Sequence, residues 1–210
     1  MTRLKVLRVL ANEHTHIIQY KHNYFGVRMI TGIILAGGLS SRLNTNKLVL
    51  TVKGKALIRH AIDGMKPHVD KLIVVTGKYH EELLPHLKDV FVVRNDRYED
   101  GMFSSILEGV SHADGDFFIL PGDIAFTKKE TYEALLNDDF SIRVPAYKGK
   151  NGHPVFFLKE NKDMILKMPR QSNLKEYLLQ KGFKKIEVDD PNILKDIDTP
   201  EDYEKVLNLL

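Results

Sequence analysis

No cysteine occurs in the 210 residues, which removes disulfides, thiol nucleophiles and cysteine-ligated metals and suits a reducing compartment. No apolar run approaches the ~18 residues needed to span a bilayer. The chain also lacks Gly-Lys-Ser and Gly-Lys-Thr, so a Walker-type phosphate loop is excluded, and Gly37-Gly38-Leu39 breaks the G-x-G-x-x-G dinucleotide fingerprint. Nor is there an excess of charge of one sign. The 31 basic residues are interleaved with 28 acidic ones for a net charge of +3, too balanced for a nucleic-acid groove. The expectation is a soluble, cytoplasmic protein with neither a nucleic acid nor a membrane as partner.

What is present suits one globular domain: the length is enough to bury roughly 70% of the unfolded surface, and 43% of the residues are hydrophobic. Residues 1–28 stand apart, with Arg3, Lys5, Arg8, Lys21 and Arg28 against the single acid Glu13 and no run suited to a signal peptide. They read as an N-terminal appendage, or as a stretch upstream of a true start at Met29. The domain is expected over 29–210.

That domain is organised around Thr31 to Lys47, TGIILAGGLSSRLNTNK. Ile33, Ile34 and Leu35 run without alternation, as in a parallel strand covered on both faces. Gly37 and Gly38 allow the backbone to approach a ligand and aim N–H groups at an anion. Arg42 supplies a bidentate fork for phosphate oxygens and Lys47 a compact ammonium. An ordinary glycine-serine turn is the alternative.

Further along, Leu48 to Val52 reads as extended, Ala56 to Met65 as a helix with Leu57, Ile58, Ala61, Ile62 and Met65 on one face, and Lys71 to Val75 as a strand. Glu81 to Leu87 reads as a helix and Val90 to Val93 as a strand; Asp116 to Leu120, a helix from Lys128 to Leu136 and a strand from Ile142 to Ala146 follow. Asn161 to Lys181 reads as helical and amphipathic, a cover over an acceptor. A further strand runs through Val188. Strands alternating with helices predict parallel β-α-β units, with ligands beyond the carboxyl ends of the strands.

Several side chains fall at that edge. Ser104 and Ser105 follow Gly101 at a predicted helix start, where they either cap the helix or face an anion. Asp123, in Pro121-Gly122-Asp123, is the best single metal carboxylate, or belongs to a plain turn. Thr199, Pro200 and Asp202 form a helix start, which leaves Asp196 and Asp198 without capping duty.

The stretch Leu35-Ala36-Gly37-Gly38-Leu39-Ser40-Ser41-Arg42-Leu43-Asn44-Thr45-Asn46-Lys47 resembles the signature L-A-[AG]-G-x-S-x-R-M-G-x-x-K of nucleotidyltransferases related to the molybdenum cofactor enzymes. Leu43 and Asn44 depart from it; asparagine tolerates the left-handed backbone that glycine would take. Asn95 to Gly109 is similar to the family's N-x-x-Y-x-x-G-M-x-x-S-L-x-x-G, with Ile106 for leucine. Gly122-Asp123 stands where the family has Gly-Asp-x-Pro, without the proline. Gly149 to Pro154 resembles its G-x-x-G-H-P, and Asp196 to Asp202 its D-[IV]-D-T-P-E-D.

The resemblance spans about residues 29–210 and implies a single three-layer α/β/α domain with a mainly parallel sheet, of the nucleotide-diphospho-sugar transferase (Rossmann-like) kind. It implies transfer of a nucleoside monophosphate from CTP or GTP to an acceptor phosphate, molybdopterin above all, with Mg2+. Arg42, Lys47 and Asp123 would be catalytic. Leu35, Ala36, Gly37, Gly38, Ser40, Ser104, Ser105 and His153 would bind substrates, and Asp123 and Asp198 the metal, with Asp196 as the rival of Asp198. Gly37 is commoner in the guanylyl branch, whereas Gly101-Met102, Gly152-His153-Pro154 and Asp196 to Asp202 resemble the cytidylyl branch. A molybdoenzyme or its chaperone is the expected protein partner. A sugar- or alditol-phosphate acceptor, or a catalytically silent nucleotide-binding protein aiding cofactor delivery, are the alternatives.

Overall fold

The computed structural model describes residues 28–38, 46–197 and 203–204. Ten strands and six α-helices lie in these residues. The first half holds β1 (Ile30–Ala36), the hairpin β2 (Thr51–Val52) and β3 (Lys55–Ala56), α1 (Leu57–Met65), β4 (Lys71–Thr76), α2 (His80–Leu83), β5 (Phe91–Arg94) and α3 (Met102–Ser111). The second holds β6 (Asp116–Pro121), α4 (Lys129–Leu136), β7 (Ile142–Tyr147), β8 (Lys150–Asn151), β9 (Val155–Phe157), α5 (Lys162–Leu166), α6 (Leu174–Lys181) and β10 (Lys184–Glu187).

The main sheet runs β10-β7-β9-β6-β1-β4-β5, with β8 added on β7. β1 pairs in parallel with β4 and β6, β4 with β5, and β10 with β7. Between β6 and β7 lies β9, antiparallel to both, because the Gly149–Gly152 stretch turns the chain back on itself. The sheet is therefore mainly parallel, as expected.

The unbroken apolar runs follow from burial on two faces. In β1, Ile34 and Ala36 enter one core cluster with Val74, Phe118 and Leu120, and with Leu57, Ile58, Ala61, Ile62 and Met65 of α1. Ile33 and Leu35 enter the other, with Ile73, Val75, Phe117, Ile119 and the α3 residues Phe103, Ile106 and Val110. Successive side chains of a strand point to opposite faces, so a helix layer on each side demands apolar residues at every position. α3 lies close on β1: a β-carbon on Gly109 would stand 2.4 Å from Ile33 Cγ2. That contact fixes the height of the helix and brings its first turn to the end of β1.

Two sequence expectations require correction. Leu48 to Val52 is extended only at Thr51–Val52; Lys47–Val49 is a 3₁₀ turn capped by the Asn46 side chain, which accepts from Leu48 N. The stretch Asn161 to Lys181 is two short helices, interrupted around Pro169 and restarted at Asn173, whose side chain accepts from Glu176 N. α5 begins at the amino edge of the sheet, with Lys162 Nζ on the carbonyls of Ser111 and Ala113, and Ile165 and Tyr177 pack into the α3-side core. These helices cover that face, α5 starting at the edge opposite the Gly37 loop.

Candidate active site

Strand registers gather several of the predicted residues at one edge. Leu35 pairs with Pro121 and Ala36 with Thr76, so Gly37, Gly77 and Gly122-Asp123 leave the parallel strands side by side. β9 runs the other way and pairs Val155 with Ile119, which puts His153 at the same edge.

The glycines here are required by close approach. A β-carbon on Gly77 would stand 2.8 Å from Gly37 O and 2.7 Å from Tyr98 Cβ, and one on Gly37 would stand 2.6 Å from Ser105 Oγ. Leu35, Ala36 and Gly37 are buried and Gly38 is exposed, with nothing within 4 Å of where its β-carbon would lie. The backbone thus opens to solvent at Gly38.

Below this loop, Asn95 holds α3 in place. Its Nδ2 donates to Ser104 Oγ at 2.8 Å and Ser105 Oγ at 3.0 Å, and its Oδ1 accepts from Arg97 N. Ser104 Oγ also lies 2.8 Å from the carbonyls of Arg97 and Gly101. Both serines are buried, so their hydroxyls position the loop from beneath. Gly101, at φ 95°, sets the entry to this helix.

Lys47 and Asp123 come together from separate elements. Lys47 Nζ is 2.6 Å from Asp123 Oδ2, with the side chains 13% and 19% exposed. Asp123 is held by its neighbours: Gly122 N donates to Leu35 O and Ile124 N to Pro121 O. The missing proline after Asp123 leaves this turn hydrogen-bonded.

His153 is tied by its N–H to Ile193 O, and Gly152 N donates to Pro145 O. Burial pushes the imidazole down to about 4, against a smaller upward pull from the Asp123 charge, so the ring is neutral at pH 7. Among the described residues, three enclosed side-chain polar atoms lack a hydrogen-bond partner: Asn46 Nδ2, Thr127 Oγ1 and His153 Nδ1. Two of these belong to the neighbourhood of the Lys47–Asp123 pair.

The segment leading to Asp198 is anchored along this edge. Asp190, 1% exposed, accepts from Lys128 N, Thr131 Oγ1 and Asn192 N; sequence reading missed this role because an acidic pair after a strand has no distinctive pattern. Ile193 meets His153, Asp196 is exposed and Ile197 is buried. Beyond, Tyr203 Oη donates to Thr51 O at 2.6 Å. Ser40, Arg42 and Asp198, with the helix start at Thr199, Pro200 and Asp202, lie outside the described residues.

A metal was tested against these groups. Among the described residues no three His, Asp or Glu side chains gather as a resident metal site would require. Asp123 alone fits magnesium carried by a polyphosphate, which binds through one or two carboxylates, phosphate oxygens and water.

Fold and site together define an α/β protein with a Lys–Asp pair and an open glycine loop at the carboxyl edge of a mainly parallel sheet. Comparison with known proteins narrows this. The family model described as MobA-like NTP transferase domain matches residues 32–185. The chain is 26% identical over 177 residues to the molybdenum cofactor cytidylyltransferase of Escherichia coli (strain K12), covering 81% of this chain and 92% of that one. It is 33% identical over 141 residues to the molybdenum cofactor guanylyltransferase of Yersinia pestis (strain Pestoides F), covering 61% and 67%. Among solved structures, a nucleotidyl transferase from Methanothermobacter superposes with a TM-score of 0.76 at 25% identity, over 86% of this chain and 97% of that one. The chain belongs to the MobA-like NTP transferase family and is a nucleotidyltransferase of that kind.

Proposed function

We propose that the protein transfers a nucleoside monophosphate from a nucleoside triphosphate, CTP by preference, to the phosphate of molybdopterin, releasing pyrophosphate. An oxygen of the acceptor phosphate attacks the α-phosphorus in line, a new phosphoanhydride bond forms, and the bond to the β-phosphate oxygen breaks. No general base is obligatory, since the acceptor is already anionic. The protein positions the reactants and neutralises charge.

The observation that carries this reading is the convergence of Lys47 and Asp123 at the edge where the Gly37 backbone opens. The Gly37-Gly38 loop would bind the polyphosphate with Arg42 and Lys47, and Ser40 with it. Leu35 and Ala36 would lead the backbone to the nucleotide, with Ser104 and Ser105 supporting the loop. Asp123 and Asp198 would hold magnesium, which neutralises charge on the phosphates when bound. Support for Asp198 comes from its flanks: Ile197 lies in the same buried cluster as Leu48 and Ala36, and Tyr203 reaches Thr51, four residues beyond Lys47. His153, neutral and between Asp123 and the acceptor side, would contact the acceptor. The recipient of the product would be a molybdoenzyme or its chaperone.

CTP rests on the Gly101-Met102, Gly152-His153-Pro154 and Asp196 to Asp202 stretches. GTP is the second reading, favoured by Gly37 and by the guanylyltransferase relative. The test is to incubate the protein with each triphosphate in turn, magnesium and molybdopterin, and to measure pyrophosphate. CTP should give the highest kcat/KM. A preference for GTP would reverse the branch, and no release with any triphosphate would overturn the reading.

A further inference from the structure

In the structure the Asp123 carboxylate holds a cation, the Lys47 ammonium. Lys47 Nζ sits 2.6 Å from Oδ2 and both side chains are largely shielded from solvent, a setting in which a charge-assisted contact is strong. Magnesium binds carboxylate oxygens at about 2.1 Å, so it would have to take the same oxygen's vicinity from the ammonium. It would also face a positive charge a few ångströms away. Of the described groups beside the pair, the Asn46 amide carries no charge and the His153 ring is neutral, and neither offsets that repulsion. A triphosphate changes the balance, because its oxygens supply both ligands for the metal and a new acceptor for Lys47.

We propose that Lys47 is an exchangeable counter-ion that occupies Asp123 until the nucleotide arrives, so that divalent metal enters the site together with the triphosphate and not before it. This rests on the reading of Asp123 as a metal carboxylate. Lys47 then has two positions, on Asp123 in the free protein and on phosphate in the complex. The exchange couples metal entry to the presence of substrate and keeps a partly buried carboxylate paired in both states.

The test uses Mn2+ alone as the probe, titrated into the nucleotide-free protein and followed by electron paramagnetic resonance of the free ion. Lys47→Met, which keeps the apolar stem, should bind Mn2+ at least ~10-fold more tightly than wild type, and Lys47→Gln should do the same. Lys47→Met/Asp123→Asn should lose the gain. Wild-type affinity in both single variants, or a gain that persists in the double variant, would overturn the proposal. Mn2+ with CTP, titrated into wild type in parallel, separates the two ideas. Asp123-dependent binding of that pair with no gain in the Lys47 variants sinks only the exchange, whereas no binding of the pair sinks the nucleotidyltransferase site as well.

Discussion

Lys47 and Asp123, 76 positions apart, meet with 2.6 Å between ammonium nitrogen and carboxylate oxygen. One belongs to the turn that follows the glycine loop, the other to the turn that follows β6, and the parallel pairing of β1 with β6 brings the two turns to one edge. Their meeting puts a partly shielded ion pair at that edge.

Gly77→Ala should loosen the loop. The added carbon would meet Gly37 O at 2.8 Å and Gly37 Cα at 3.0 Å, and backbone must shift to admit it. Overpacking of this kind costs about 1–3 kcal/mol. Thermal unfolding should report that loss, and KM for the triphosphate should rise about 10-fold or more. Gly38→Ala, facing open space, should leave stability unchanged; equal destabilisation by both would contradict the close-approach argument.

Arg42→Ala should raise KM for the triphosphate or lower kcat, with the fold kept, since a lost phosphate fork removes about 2–4 kcal/mol from a charge-stabilised transition state. Arg42→Lys should restore only part of it. Wild-type kinetics of Arg42→Ala at limiting triphosphate would remove the arginine from the site.

His153 gives stability a pH dependence of known sign. Its folded value of about 4 lies below the ordinary 6.5, so between these values the unfolded chain takes up a proton that the folded chain does not. The His153 contribution is therefore intact above about pH 6.5 and is lost as pH falls towards 4, by at most about 3 kcal/mol. The residue is only partly buried although its Nδ1 is enclosed, which makes that figure an upper bound. Urea unfolding of wild type and His153→Gln across pH 4 to 7 should show the wild type losing more. Parallel curves would rule out a buried neutral imidazole.

We propose that the domain begins at Met29, with Arg28 tied to it. Its guanidinium pairs with Asp116, whose other oxygen accepts from Lys159 N. A chain beginning at Arg28 should fold and bind nucleotide as the full chain does. One beginning at Met29 takes the cation from Asp116, a buried carboxylate that keeps only its bond from Lys159 N, and should melt lower, by about 2–4 °C per kcal/mol lost. Precipitation of the chain beginning at Arg28 would make the preceding residues part of the core.

Much of this fold was legible because two-sided burial writes itself as unbroken apolar runs, as at Ile33-Ile34-Leu35, and because α1 repeats its apolar residues with helical spacing. The break between α5 and α6 was legible too, in Pro169 and in Asn173 with Glu176 three residues on, but overall amphipathicity masked it. The antiparallel β9 was not legible, since three apolar residues after a glycine turn carry no direction. Buried charge was also hidden. Arg143, 1% exposed, donates to the carbonyls of Phe140 and Leu135 over the Phe156 ring, and its neighbours in sequence predict an ordinary strand. At the site, residue types and order pointed to Asp123 and Lys47 separately. Their direct pairing is a property of strand register, as is the packing of Ser104 and Ser105 beneath Gly37.

The central claim is that an acceptor phosphate takes the α-phosphorus of a metal-bound triphosphate at the Lys47–Asp123 edge. Phosphorus-31 resonance of a mixture of protein, magnesium, CTP and molybdopterin tests it most directly. The account predicts that pyrophosphate and a new phosphoanhydride appear in equal amounts, and that Asp123→Asn, with its thermal unfolding unchanged, slows both by ~10²-fold or more, as expected when metal charge stabilisation is lost. Release of inorganic phosphate in place of pyrophosphate, or wild-type rates from Asp123→Asn, would contradict it.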